Sequence, residues 1–217
     1  RRAVLSAGRR PASGRRMEGG QRRTNGGAQD GQERPAPVLA PRETVRDPVE
    51  RVEREALGIY LQLPGLAGPA QMDELPSQTF TVPVHRRVHE AIRAAGGAAS
   101  YDKRVAELSV KGVPLEKAEE AAAGWYVERV IENADDVVGR AVAQLAVETL
   151  PESRPDRVER YVWGIAVSLI RQGITRQIGD LRSRLQRTPP DDPEYSALFS
   201  RLIELEEQRR ACDAQIE

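Results

Sequence analysis

The chain has 217 residues, of which 39% are apolar, 30% charged and only 4% aromatic. That length holds one or two domains, and the composition favours helices packed through aliphatic side chains over an all-β fold. Net charge is zero, yet residues 1–46 carry 11 arginines against 4 acids, leaving 22 basic and 29 acidic residues in the rest. A mildly acidic body lacks the cationic face that a reader of duplex DNA needs.

Cys212 is the single cysteine, which excludes an internal disulfide and a zinc ribbon and suits a reducing cytoplasm. No run of about 18 apolar residues predicts a membrane span, and no signal peptide is visible. The chain opens "RRAVLSAGRR" rather than on Met, so it is read as a piece of something longer, with residues 1–10 ending an upstream helix. Residues 11–46 are rich in Gly, Pro, Arg and Gln and offer little to bury. Ordering them would cost entropy without return, so a flexible linker is expected there. A basic arm touching nucleic acid is the alternative.

Order is expected from Asp47. "DPVERVEREALGIYLQLP" places Asp at the N-cap, Pro at the first helical position and Glu50 three residues beyond the cap. Val52, Ala56, Ile59 and Leu63 recur at helical spacing and predict one buried face; Pro64 and Gly65 end the helix. "LAGPAQMDELP" predicts a short second helix closed by Pro76. "VPVHRRVHEAIRAAGG" predicts a third, with Val84, Val88, Ala91 and Ile92 inward and Gly96–Gly97 as terminator. "SYDKRVAELSVKG", "PLEKAEEAAAGWYVERVIEN" and "ADDVVGRAVAQLAVETL" predict a fourth, fifth and sixth. The expected architecture is all-α: a six-helix bundle within residues 47–172, then a C-terminal helical hairpin over 173–217.

The hairpin follows from a change of pattern. Residues 155–187 read as one helix of about 33 residues, roughly 50 Å long. Its apolar seam runs Val158, Val162, Ile165, Leu169, then Ile174, Ile178, Leu181, Leu185. The five-residue step from Leu169 to Ile174 turns the seam by about 140°. The two halves must therefore face different partners, with the switch near Gln172–Gly173. "TPPDDPEY" then breaks the helix and restarts it, with Asp191 or Asp192 as N-cap and Pro193 at the first position. Tyr195, Leu198, Phe199, Leu202 and Leu205 form a new stripe. Residues 155–187 hold 7 arginines and 3 acids, and residues 191–217 hold 8 acids and 3 arginines, opposite signs that suit two antiparallel neighbours.

Catalytic chemistry is hard to assemble. His85 and His89 share a helix face, but Arg stands where a zincin places its glutamate and no third ligand is evident, so surface or half-buried histidines are expected. Glu119–Glu120 and Asp135–Asp136 are adjacent pairs that diverge by about 100° and read as solvated faces. Trp125, Tyr126 and Trp163 sit among aliphatic residues and read as core packing rather than base-stacking platforms. No nucleophile triad or phosphate loop appears; no catalytic residue, metal or cofactor is expected.

"DPVERVEREALGIYLQLPGLAG" resembles the opening of the C-terminal domain of bacterial DnaG-type DNA primases. "YVWGIAVSLIRQGITRQIGDLRSRLQRTPPDDPEYSALFSRLIELEEQRR" resembles that domain's second half. "RRAVLSAGRR" is similar to the tail of the preceding polymerase module. The resemblance implies a bundle similar in fold to the N-terminal domain of the replicative helicase. It implies a hairpin that docks the primase on the helicase's N-terminal collar and brings RNA-primer synthesis to the fork. It also implies that Arg54 contacts the acidic tail of single-strand-binding protein; Arg51 lies one turn earlier on the same face. The zinc-binding cysteines and metal-binding acids of the polymerase core are absent, so primer synthesis is not expected of these residues. The tail after Glu206 runs longer than the family pattern. The expected helicase anchors are Tyr195, Leu198, Phe199, Leu202 and Leu205, partly used by the hairpin's own seam. The rival readings are the helicase's own collar domain, a single-strand-binding module acting through residues 1–46, and an enzyme hidden in the bundle.

Overall fold

A computed structural model of the protein describes residues 38–40, 45 and 47–216. The expected upstream helix end and most of the expected linker fall outside these residues. Among the described residues every regular element is helical: α1 (Pro48–Gln62), α2 (Pro64–Ala67), α3 (Pro83–Ala94), α4 (Gly97–Val110), α5 (Leu115–Glu132), α6 (Asp136–Val147), α7 (Val158–Leu185) and α8 (Pro193–Ile216).

Asp47 caps α1 as its sequence requires, its Oδ1 accepting the Val49 N–H at 2.8 Å ahead of Pro48. The helix departs from a one-faced pattern. Ala56, Leu57, Gly58, Ile59, Tyr60 and Leu61 are all buried, so the second half of α1 is enclosed on every side. It is the central helix, contacted by α2, α3, α5, α6 and α7. Glu53 and Arg54, which make α1 look amphipathic, are buried too, and each meets partners from distant segments.

Residues 64–80 do not form the single short helix expected. The turn of α2 is followed by two 3₁₀ turns, Met72–Glu74 and Ser77–Thr79, and Gln71, in the left-handed region at φ 57°, stands just before the first. Asp73, in the first of these turns, caps α4 from outside. Its carboxylate accepts the Ala98 and Ala99 N–H groups at 2.9 and 3.2 Å and the Tyr60 hydroxyl. Burial first, and then the Asp73 carboxylate, push the Tyr60 phenol pKa up. Gly97 begins α4 at φ +64°, and a Cβ there would stand 2.8 Å from Asp73 Cγ. Gly96–Gly97 therefore ends one helix and starts the next with no loop between.

α5 packs through Ala118, Ala122, Tyr126 and Val130, and α6 through Val138, Ala141, Val142 and Leu145. Asp135 is the N-cap of α6, accepting from Val137 and Val138 at 3.0 and 3.1 Å, and it also pairs with Arg87. One member of that acidic pair is thus structural rather than merely solvated.

The linker expectation is corrected at residues 38–40. Leu39 is 5% exposed and lies in the bundle core. Gln144 grips its backbone twice: Leu39 N–H donates to Oε1 and Nε2 donates to Leu39 O, both at 3.1 Å. Arg54 Nη1 donates to Ala40 O at 2.6 Å. A single leucine between prolines, with its clamp 105 residues away, leaves no periodic trace.

α7 is an unbroken helix serving two cores. Val162, Ala166 and Leu169 belong to the bundle core; Ile174 and Ile178 belong to a second cluster with Leu205. Ile170 packs against both. The phase shift in the sequence is therefore a real change of partner, one turn wide. Asp192 Oδ1 accepts the Glu194 N–H at 2.8 Å and starts α8 beside Pro193. α8 then runs antiparallel to α7, with Leu181, Leu202 and Cys212 filling out the seam. Arg182–Glu206 at 2.6 Å, Arg184–Glu194 and Arg171–Asp213 bridge the hairpin, as its opposite charges predict. The long tail after Glu206 continues α8 back to the base of the arm.

Candidate protein-interaction site

The stripe expected on α8 divides in two. Leu198 and Leu205 are 6% and 2% exposed, and Leu202 is half-buried; Leu202 and Leu205 join the cluster that holds α8 against α7. Phe199 and Ile203 are 49% and 47% exposed. Each follows an inward leucine by one residue, which turns it about 100° around the helix and out of the seam. Phe199 and Ile203 are themselves one turn apart, and Tyr195, half-buried, sits one turn before them. The surface offered is thus Tyr195–Phe199–Ile203, flanked by exposed Ser196 and Ser200. Ile203 lies outside the stripe named from the sequence. Its signal was present as the i+4 neighbour of Phe199, but a helix with two apolar stripes reads as one broad one.

This patch does not depend on loose acids for its character. Glu194, Glu204 and Glu206 are engaged in ion pairs with Arg184, Arg201 and Arg182. Its distinguishing feature is an aromatic and a branched aliphatic side chain, each half in solvent, on a helix already held by a separate seam. Such residues anchor interfaces when a partner removes them from water.

Arg54 is not placed for an external anion. It is 3% exposed, and its Nε and Nη2 contact Glu148 at 2.9 and 2.7 Å while Nη1 holds Ala40 O. An incoming carboxylate would have to displace Glu148. Arg51, one turn earlier, is exposed.

The histidines are a correction. Both are fully buried, not surface or half-buried. His85 Nδ1 lies 3.1 Å from Glu53 Oε2, and His89 Nδ1 lies 3.1 Å from Ser77 Oγ. The His89 ring lies tilted against Phe80 at 4.7 Å and edge-on to Tyr60 at 6.0 Å, and burial, then Arg93, lower its pKa to about 4. No group of three or more His, Cys, Asp or Glu side chains suited to a metal occurs among the described residues. Tyr126 is fully buried and Arg104 lies over the Trp125 ring at 5.5 Å, so neither ring is open for base stacking. Trp163 is 43% exposed beside Leu66, Pro69 and Ala70. No helix among the described residues is long and apolar enough to cross a membrane.

Fold and site together define an all-helical interaction domain: a bundle that carries a self-supporting hairpin with an apolar outer face. The family model "DNA primase DnaG DnaB-binding" matches residues 53–198, and the chain belongs to that family. It is 32% identical over 195 residues to a DNA primase of Mycolicibacterium smegmatis, and 34% identical over 183 residues to one of Streptomyces coelicolor. These alignments take in 89% and 83% of this chain but only 28% and 25% of the relatives, so the chain spans about a quarter of their length. The solved "Helicase binding domain of primase from Mycobacterium tuberculosis" is similar at TM-score 0.55 and 30% identity, covering 76% of this chain and 91% of that one. The family match stops at Leu198, one residue before Phe199.

Proposed function

We propose that this chain docks a DNA primase on a DnaB-type replicative helicase in the cytoplasm and so couples RNA-primer synthesis to the replication fork. The observation that carries the reading is the exposed Phe199–Ile203 pair on α8, in a chain that belongs to a DnaB-binding family. The hairpin's own seam is complete without those two side chains, which leaves them for the partner. Tyr195 borders the contact, while Leu198, Leu202 and Leu205 hold the platform behind it. The domain itself binds; the nucleotidyl-transfer chemistry belongs to the remainder of the primase. An acidic peptide of single-strand-binding protein is a secondary partner only by way of exposed Arg51 or through opening of the Arg54–Glu148 pair. The test is pull-down of purified replicative helicase by the full chain and by a chain ending at residue 187. Loss of capture with the bundle still folded is the expected result. Equal capture by both refutes the hairpin as the docking element.

A further inference from the structure

The docking reading leaves open what aims the hairpin, because α7 passes from one core to the other without a break. Beyond the changeover at Ile170, the base of the arm lies against the Ser77–Thr79 turn and the residues after it, in a cleft that Asp47 and Val49 at the start of α1 also line. Gly173 lies against Thr79, where an added Cβ would be 3.6 Å from its Cγ2. One turn further along the arm, Arg176 Nη2 donates to Thr79 O.

That segment is itself held from the bundle side at each following residue. Phe80 O accepts from Arg86 Nε at 3.1 Å. Thr81 donates its N–H and its hydroxyl to Glu53 Oε1, both at 2.5 Å, and Val82 donates its N–H to Glu53 Oε2 at 3.1 Å. His85 Nδ1 faces the same carboxylate. Glu53 thus does from a distance what the N3 glutamate of a capping box does locally: it accepts the N–H of the N-cap residue of α3, Val82. Burial pushes the Glu53 pKa up, but the hydrogen bonds from His85, Thr81 and Val82 prevail and hold it below the usual carboxylate value.

We infer that residues 79–82 are a rigid seat for the arm, with Glu53 on the bundle side and Arg176 on the arm side as its positioning residues. This rests on the reading of the hairpin as the docking element. A helix braced only where it leaves its core acts as a lever. From Gly173 to Leu185 it extends about 18 Å, so small rotations at the base move the tip by ångströms. Fixing the base presents Phe199 and Ile203 in one orientation, and an interface set before encounter loses less freedom on binding. At the same level the Arg171–Asp213 pair joins the end of α8 to α7, so the two helices of the arm move together.

The test is a pair of spin labels at K103C on α4 and R187C at the arm's tip, in a C212A background, read as a distance distribution by electron–electron resonance. The unaltered seat is expected to give one narrow peak. R176A is expected to broaden or shift it by several ångströms with no change in melting temperature, and R176K, which keeps a donor, to restore most of the narrowness. E53Q is expected to broaden it as well, read below its lowered melting temperature. An R176A distribution as narrow and centred as the parent's overturns the inference. The unlabelled R176A chain is then titrated with purified replicative helicase; weakening of about 3- to 10-fold supports the aiming role. A broadened distribution with unchanged helicase affinity leaves the seat standing and refutes its aiming role; failure of the hairpin as the docking element is read separately, as equal capture by the chain ending at residue 187.

Discussion

Gly97→Ala and Asp73→Ala form a double-mutant cycle whose outcome follows from the geometry of the α3–α4 junction. Gly97 sits at φ +64°, and a Cβ there would come within 2.8 Å of Asp73 Cγ. The left-handed conformation alone costs a non-glycine residue about 1–2 kcal/mol. The added carbon also drives Asp73 off the Ala98 and Ala99 N–H groups that it caps. Loss of such a cap costs about 1–2 kcal/mol more. Gly97→Ala is therefore expected to destabilise the domain by about 3 kcal/mol. For a chain of this size that lowers the melting temperature by about 6–12 °C. Asp73→Ala removes the cap and the Tyr60 partner and is expected to cost about 1–3 kcal/mol. In the double variant the crowding is gone and only the backbone term remains for Gly97→Ala. The two effects should then fall short of additivity by about 1–2 kcal/mol, measured by urea unfolding at 25 °C. Additivity within about 0.5 kcal/mol refutes the claim that Asp73 and Gly97 are coupled.

Three further outcomes follow from single sites. His89 is buried with its pKa lowered to about 4, below the ordinary histidine value. The folded state therefore favours the neutral ring, and its contribution is present above pH 6.5 and lost as pH falls from about 6.5 to 4. About 3 kcal/mol should disappear across that window, and H89Q should flatten this part of a stability-versus-pH profile; an unaltered slope removes His89 as its source. Leu205→Ala deletes the buried centre of the hairpin seam and is expected to destabilise it by about 2–4 kcal/mol. Phe199→Ala should leave hydrogen-exchange protection of α8 amides unchanged, and equal loss in both variants contradicts the two-stripe assignment. Leu39→Asp should free residues 38–40 from the Gln144 clamp and speed hydrogen exchange at the position-39 amide, which donates to Gln144. Unchanged exchange there contradicts their anchoring.

Much of this architecture is legible in the sequence because its signals are local. Asp47–Pro48 and Asp192–Pro193 start helices with their own side chains and rings. The Leu169-to-Ile174 step announces the change of core from helix geometry alone. What stays hidden depends on partners far along the chain. Glu53, Arg54 and His85 look like surface residues until Thr81, Glu148 and each other are brought against them, and a buried charge is tolerable only when such partners arrive. Leu39 is an isolated anchor with no periodicity to betray it. Residues 64–80 resist prediction because successive prolines and a left-handed Gln71 replace a helix with short turns. On α8 both stripes have helical spacing, so their division into Leu198–Leu202–Leu205 and Phe199–Ile203 is set only by where α7 lies.

The central claim is that the outer face of α8 grips the helicase. Phe199 is 49% exposed, and large apolar side chains of this kind present about 150–250 Å² in all, so about 100 Å² of it remains to be covered. At about 25 cal/mol per Å² that is worth up to about 2.5 kcal/mol, with a similar share for Ile203. Calorimetric titration of a purified DnaB-type helicase with the wild-type chain and with F199A/I203A tests this most directly. We predict at least about 30-fold weaker binding by the double variant, with its melting temperature unchanged. Affinity within about two-fold of wild type contradicts the account.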